Sequence, residues 1–340
     1  MSDDMNVNNL ISKIEATRGS RVITYVTSDR QPPLAAKIAL DTIPIFYNHL
    51  KKIGNVNKID LFLYSTGGDI ILPWRLVNLV REYCKNFSVL IPYKAHSAAT
   101  MIALGADSIV MGPLGELSPI DPSIGTPFNP PHQDIPNEPK IEIGVEDVFG
   151  YINLAKEKLG ITDQTNIANI LDKLVEKIHP LAIGGVYRTH SLIRLLAAKL
   201  LQLHMVGKNE TLMIQQIVND LVEKLYYHGY LISRNEANKL GLKIENPSNE
   251  LENMIWELYL FYVSEMGLGK PFLPTEYLSE GKDSHEFEAF ISEIGSVNLQ
   301  SKFLKKLVIS HLPSPQPGAP PQIGIRENII GWKDFEMGKE

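Results

Sequence analysis

The chain has 340 residues, 44% hydrophobic and 21% charged, with a formal net charge of −6 and one cysteine. That length supports one large domain or two smaller ones, and the composition is that of an ordinary soluble globular protein. The acidic balance and the lack of a basic run argue against a nucleic-acid binder, which needs concentrated Lys and Arg. The single thiol, Cys84, excludes an internal disulfide.

Met1 to Asn9 is polar and acidic, without the basic start and apolar core of a secretory signal. No stretch reaches the roughly 18 apolar residues that span a bilayer. A cytoplasmic location without a transmembrane segment is therefore expected.

Asn8 to Thr17 has helical spacing, and Arg21 to Val26 is a β-rich run that reads as the first strand. A polar turn at Ser28–Pro33 leads to a helical pattern from Leu34 to Ile53, with Pro44 as a kink or boundary. Two similar units follow. Ile59–Tyr64 is an apolar run of strand length, and the paired Gly67 and Gly68 after it open a helix from Pro73 to Tyr83. Phe87–Tyr93 reads as a buried strand, and Ser97 stands at the mouth of a small-residue helix from Ala98 to Ala106. With a strand at Ser108–Met111, the result is a βαβαβ plan.

Gly112 to Pro122 is too rich in Gly and Pro for regular structure, and Thr126 to Lys140 reads as a surface excursion with five prolines. Helices are expected at Glu146–Leu159, Asn166–Ile178, Val186–His204 and Thr211–Leu225. Ser233, three residues before Glu236, predicts a capping box and a short helix ending at Gly241. Leu251–Glu265 is a strongly apolar helix, whereas His285–Ile294 and Lys302–Ser310 fit strands or helices. The Pro-rich stretch at about 312–321 reads as a linker. The organisation expected is one domain over 1–250 and an extension over 251–340.

The two turns carry the chemistry. Glycine lets a backbone approach a ligand closely, and successive N–H groups at Gly67 and Gly68 suit an oxyanion; a tight turn is the other reading. Ser97 is placed as an N-cap or as a nucleophile, with small neighbours leaving its hydroxyl reachable. Metal binding is unsupported: there is no HExxH and no cysteine pair. Gly67-Gly68 lacks the Lys-Ser/Thr of a phosphate loop, no GxGxxG follows a strand, and no cofactor is expected.

The segments Tyr64–Asp69, Lys94–Thr100, Leu104–Met111 and Gly115–Pro122, with His179–Gly184, Tyr187-Arg188 and His228–Ala237 further on, resemble the serine dehydrogenase proteinase family. These Clp-class serine peptidases are related to signal peptide peptidase A and to ClpP. The resemblance runs from about Arg18 to Pro247. It implies an α/β fold with a ClpP/crotonase-like ββα superhelix core, hydrolysis of a peptide or protein substrate through an acyl-enzyme on Ser97, and an oxyanion hole from Gly67, Gly68 and Ala98. It also implies a homo-oligomer, with any ATPase partner unspecified. Two positions depart from the family pattern: Ala99 and Ser118 stand where Gly is usual.

A serine nucleophile needs a group to take its proton. The place of the ClpP histidine falls near Asp121-Pro122, where this chain has none. His179 is the first candidate, read as the end of a helix, with Lys173 and Lys177 as lysine alternatives; Asp121 is placed either to orient the base or to cap the loop. His96 is set aside because adjacent residues on an extended backbone point apart. The rival readings are a non-catalytic oligomeric scaffold and a crotonase-type acyl-CoA enzyme.

Overall fold

A computed structural model describes residues 7–120, 123–131, 140–207, 210–224, 229–278, 283–312 and 322–336. The elements run α1 (Val7–Arg18), β1 (Arg21–Thr27), α2 (Thr42–Ile53), β2 (Val56–Tyr64), α3 (Leu72–Arg81) and β3 (Cys84–Ile91). Next come β4 (Lys94–Ala95), α4 (Ala98–Leu104), β5 (Ser108–Met111), β6 (Glu116–Leu117), β7 (Ser123–Ile124) and β8 (Ile143–Gly144). The helices α5 (Val145–Asn153), α6 (Gln164–Val175), α7 (Pro180–Gln202) and α8 (Glu210–Asn219) follow. The chain then forms β9 (Ile232–Ser233), α9 (Arg234–Lys239), β10 (Ile244–Glu245), α10 (Asn249–Met266), β11 (Ser284–Ser296), β12 (Leu299–Leu312) and β13 (Gln322–Glu336). Two compact units result, Met1–Leu117 with Ser233–Glu340, and Ser118–Ile232.

The first unit is built on an eight-stranded sheet in the order β10-β5-β3-β2-β1-β11-β12-β13. Its first five strands are mutually parallel and β11 to β13 run antiparallel. The buried halves of the parallel strands are mostly apolar because both faces are covered. Alternate residues divide between those faces. Val22, Val26, Phe62, Tyr64, Leu90 and Val110 face a cluster containing Leu10, Ile11 and Ile14 of α1 and Leu251, Leu258 and Tyr262 of α10. Tyr25 instead meets Phe46 of α2 edge to face, with centroids 5.2 Å apart.

α10 is delimited at both ends by its sequence. Ser248 accepts the Leu251 N–H at 3.2 Å, and Gly267 ends the helix in the left-handed conformation. α10 and β11 belong to this unit, since β11 pairs with β1 and α10 packs with α1. His285–Ile294 and Lys302–Ser310 both lie in strands, β11 and β12, and β13 is a further strand without a counterpart in the sequence reading.

The helix expected from Leu34 covers only Thr42–Ile53, so Pro44 lies in its first turn, where the missing N–H costs no helical bond. Residues before it extend along the Gly-Gly turn, with Ile38 bridging Gly68. Buried Asp60 is compensated by Arg18 Nε at 2.9 Å and Ser20 Oγ at 2.7 Å, tying the end of α1 to β2.

The second unit is mainly helical. Its core gathers Ile143, Val145 and Val148 with Ala182 and Val186 of α7, and α5 continues into a π-helical turn over Leu154–Lys158. Asp163 caps α6 by accepting the Asn166 N–H at 3.0 Å. The proline-rich linker, apart from Leu312, and Asp121 lie outside the described residues. Among the described residues, no helix is long and apolar enough to cross a membrane.

Candidate active site

The glycine turn follows the carboxyl end of β2 and the serine turn follows β4, just beyond the end of β3, and backbone hydrogen bonds join them. Ser65 N–H donates to Lys94 O at 3.0 Å, and His96 N–H donates to Ser65 O at 3.0 Å. Ser65 is fully buried, and its Oγ accepts from Thr27 Oγ1 at 2.7 Å and from Gly67 N–H at 3.1 Å. One small hydroxyl thus fixes the start of the Gly-Gly turn.

Both glycines are required by contact. Ile38 N–H donates to Gly67 O and Asp69 N–H donates to Ile38 O, each at 2.8 Å. A Cβ on Gly68 would stand 2.1 Å from Ile38 O, and one on Gly67 would stand 2.8 Å from Ser97 Cβ and 3.3 Å from Ser97 Oγ. Gly67 has φ +106°, a region that L side chains enter at a cost. The absent side chain at 67 is therefore the space occupied by the serine.

Ser97 has φ 53° and ψ −112°, outside the left-handed helical well as well as the ordinary regions. Among the described residues, the other non-glycine with positive φ is Asn298, in the tight loop between β11 and β12, where asparagine is a favoured residue. A serine in this conformation stores about 1–3 kcal/mol and persists only where its neighbours fix it. Here they do: Ala99 N–H donates to His96 O at 2.9 Å, Met101 N–H to Ser97 O at 3.0 Å, and Thr100 Oγ1 to Ala95 O at 2.7 Å. Ala98 and Ala99 are buried, whereas Ser97 is half-buried.

Charge beside the turns is fixed by pairing. Burial works to raise the Asp29 carboxyl, but hydrogen bonds from Lys94 Nζ at 2.8 Å, Tyr64 OH at 2.7 Å and Gly269 N–H at 3.0 Å hold it below its ordinary range. Burial likewise disfavours the Lys94 ammonium, yet Asp29 outweighs it and keeps the group above its usual value. Lys94 is a structural cation, unsuited to accept a proton at neutral pH. His96 Nε2 lies 2.9 Å from Glu116 Oε1, and burial raises the Glu116 carboxyl while Lys94 opposes this.

Ser97, Gly67, Gly68 and Ala98 come together in the first unit. His179, Lys173 and Lys177 belong to the second, and all three are exposed. His179 does not end the preceding helix, as its sequence setting suggests, because α6 stops at Val175. It is the N-cap of α7, with Pro180 at the first helical position and Nδ1 accepting the Leu181 N–H at 3.2 Å. Its ring stacks on Phe128, centroids 4.8 Å apart. Lys173 Nζ pairs with Glu176 Oε1 at 2.7 Å.

Sequence reasoning passed over Ser65, Thr27, Ile38 and Glu116. Ser65 and Glu116 fall within the recognised motifs; the contribution of Thr27 and Ile38 has no local signal.

Comparison with known proteins places these turns in a wider setting. The chain is 27% identical over 264 residues to the uncharacterized protein MJ0137 of Methanocaldococcus jannaschii, covering 76% of this chain and 80% of that protein. It is 28% identical over 120 residues to a second uncharacterized protein of that organism, MJ1495, covering 34% of this chain and 41% of the relative. Residues 2–135, which contain both turns, match the model of the ClpP-like SDH-type serine proteinases, the family that the motifs resemble.

Proposed function

We propose that the protein is a serine peptidase in which Ser97 attacks the carbonyl carbon of a peptide bond. The observation that carries this reading is the Ser97 backbone: a serine in a costly conformation at a strand-to-helix turn, seated against a glycine whose side chain it replaces. That arrangement presents a hydroxyl on a rigid elbow, the geometry a nucleophile needs.

The oxyanion would be held by main-chain donors. Gly67 N–H is already given to Ser65 Oγ, so the proposal assigns the developing charge to Gly68 N–H and Ala98 N–H, with Gly67 supplying close approach. Helix α4 has only seven residues, so these individual amides, rather than a macrodipole, supply the stabilisation. Each such donor is worth about 3 kcal/mol of transition-state stabilisation in a water-poor site.

Ser97 Oγ forms its bond to carbon as its proton passes to a base. Collapse of the tetrahedral intermediate breaks the C–N bond, and the amine leaves with the proton. Water then cleaves the acyl ester and regenerates Ser97. His179, with Asp121 orienting it, and alternatively Lys173 or Lys177, are the candidate bases from sequence. A homo-oligomeric cytoplasmic enzyme is part of the same proposal.

Labelling with a fluorophosphonate, followed by intact-mass analysis, tests the reading. One adduct on Ser97 that is lost in Ser97→Ala, with an unchanged thermal transition, is the expected result. Labelling that survives Ser97→Ala refutes the nucleophile, and no adduct on the wild type favours the scaffold reading. His179→Ala, Lys173→Ala and Lys177→Ala in the same assay test the bases.

A further inference from the structure

Ser97 is strained, so something must prevent the peptide before it from relaxing. Two anchors are main-chain bonds, from His96 N–H to Ser65 O and from Ala99 N–H to His96 O. A third is a side chain. The imidazole of His96 reaches Glu116, with Nε2 2.9 Å from Oε1, and Glu116 itself is 6% exposed.

Glu116 is an unusually firm point of attachment. Its N–H donates to Tyr93 O at 2.8 Å, and β6 pairs with β4 so that Glu116 lies opposite Lys94 and Leu117 opposite Ala95. Gly115 before it is closely packed, since a Cβ there would stand 3.0 Å from Ile91 O and 3.2 Å from Met111 Cβ. The carboxylate is therefore held by the sheet, and through it the residue immediately before the nucleophile.

We infer that the His96–Glu116 pair is a positioning element that holds Ser97 in its reactive conformation, an inference that rests on the peptidase reading of Ser97. A pair of this kind acts through geometry. His96 takes no proton from Ser97 in this scheme; its ring stops rotation of the 96–97 peptide, and its loss lets the elbow drift toward an ordinary backbone well. A displacement of about 1 Å at a nucleophile lowers reactivity about 100-fold.

The charged neighbours are compatible with an intact pair. Lys94 lies opposite Glu116 on β4 and is itself held by Asp29, α4 carries no titratable side chain, and α9, which packs against β6, carries Arg234, Glu236 and Lys239. A buried carboxylate left without its imidazole is costly, so the two residues are expected to act as a unit.

The test measures fluorophosphonate labelling against reagent concentration for the wild type, Glu116→Ala, His96→Ala, the double variant and Glu116→Gln. The expected result is a limiting rate lowered about 10- to 100-fold in each alanine variant, with the half-saturating concentration unchanged. The double variant is expected to be no slower than the slower single one. Glu116→Gln, which keeps a carbonyl oxygen for the ring N–H, is expected to restore most of the rate. If Glu116→Ala does not fold, His96→Ala against His96→Gln, whose amide still reaches Glu116, gives the same comparison.

Unchanged limiting rates in the alanine variants overturn the inference, as do losses that multiply in the double variant or a shift confined to half-saturation. A wild type that takes no label on Ser97 overturns the peptidase reading and the positioning role with it. A labelled wild type with unaffected Glu116→Ala overturns the positioning role alone.

Discussion

Gly67→Ala is the substitution that most directly probes the contact between the two turns. The added Cβ would meet Ser97 Cβ at 2.8 Å and His96 O at 3.0 Å, and neither is the free end of a flexible side chain. Restoring an ordinary carbon contact of about 3.5–4 Å requires Ser97 to move by about 1 Å. That displacement is expected to slow labelling about 100-fold. The positive φ of residue 67 adds strain of about 1–2 kcal/mol, which sets the expected loss of folding stability. The assay is paired: the limiting labelling rate, and the free energy of unfolding in urea. Gly19→Ala is the control, because Gly19 also has positive φ (+58°) but a Cβ there meets nothing within 4 Å, so it is expected to lose stability without losing rate. A Gly67→Ala protein labelled at the wild-type rate refutes the argument that this glycine makes room for the serine.

Ser65→Ala removes the acceptor for Gly67 N–H and the partner of Thr27 Oγ1 in a fully buried site, and is expected to cost about 1–3 kcal/mol in urea unfolding. Burial lowers the pKa of His49 from 6.5 to about 4, while Asp334 opposes this and Lys52 adds to it; the unfolded chain thus binds more protons between these values. Stability is expected to fall by up to about 3 kcal/mol as pH drops from 6.5 to 4, a slope that His49→Gln should remove. Glu293 has the opposite sign: burial raises its carboxyl from 4.5 to about 7 against the pull of Lys302 and the Tyr262 hydroxyl, so the folded chain holds the extra proton. Its contribution is full below pH 4.5 and lost by up to about 3 kcal/mol as pH rises through 7; Glu293→Gln should abolish that loss, and an unchanged pH slope in this variant defeats the assignment.

The parallel core is legible because strands buried on both faces are short, mostly apolar runs, as in Ile59–Tyr64 and Phe87–Ile91, each broken by one buried polar residue, Asp60 and Ser88. The start of α2 was not legible. Ile38 and Leu40 fit a helical stripe, but Ile38 spends its backbone bonds on Gly67 and Asp69, a pairing with no trace in local spacing. β13 escaped notice for a related reason. It is the last strand of the sheet, with Arg326, Glu327, Lys333 and Asp334 along it and Gly331 at an irregularity in its pairing, and such edge features dilute the apolar alternation. His179 shows the reverse case, since a His-Pro pair after a helical stretch fits a stop by local reading, whereas Pro180 occupies the first position of a new helix.

The same distinction runs through the candidate site. The types of residue needed at a reactive turn are local and readable: paired glycines, then a serine before small residues. The forces that hold such a turn are not local. Ser97 keeps its costly backbone because Ser65 receives His96 N–H, because Gly67 leaves a gap where a methyl would press on Ser97 Cβ, and because Glu116 restrains His96 from a later strand. Each contact is short-range in space and long-range in sequence, so a motif names a candidate nucleophile without naming its supports. If the elbow is a device for reactivity, loosening any one support should lower the rate before it unfolds the protein, and the order of those losses under mutation distinguishes a poised nucleophile from a serine that merely fills a turn.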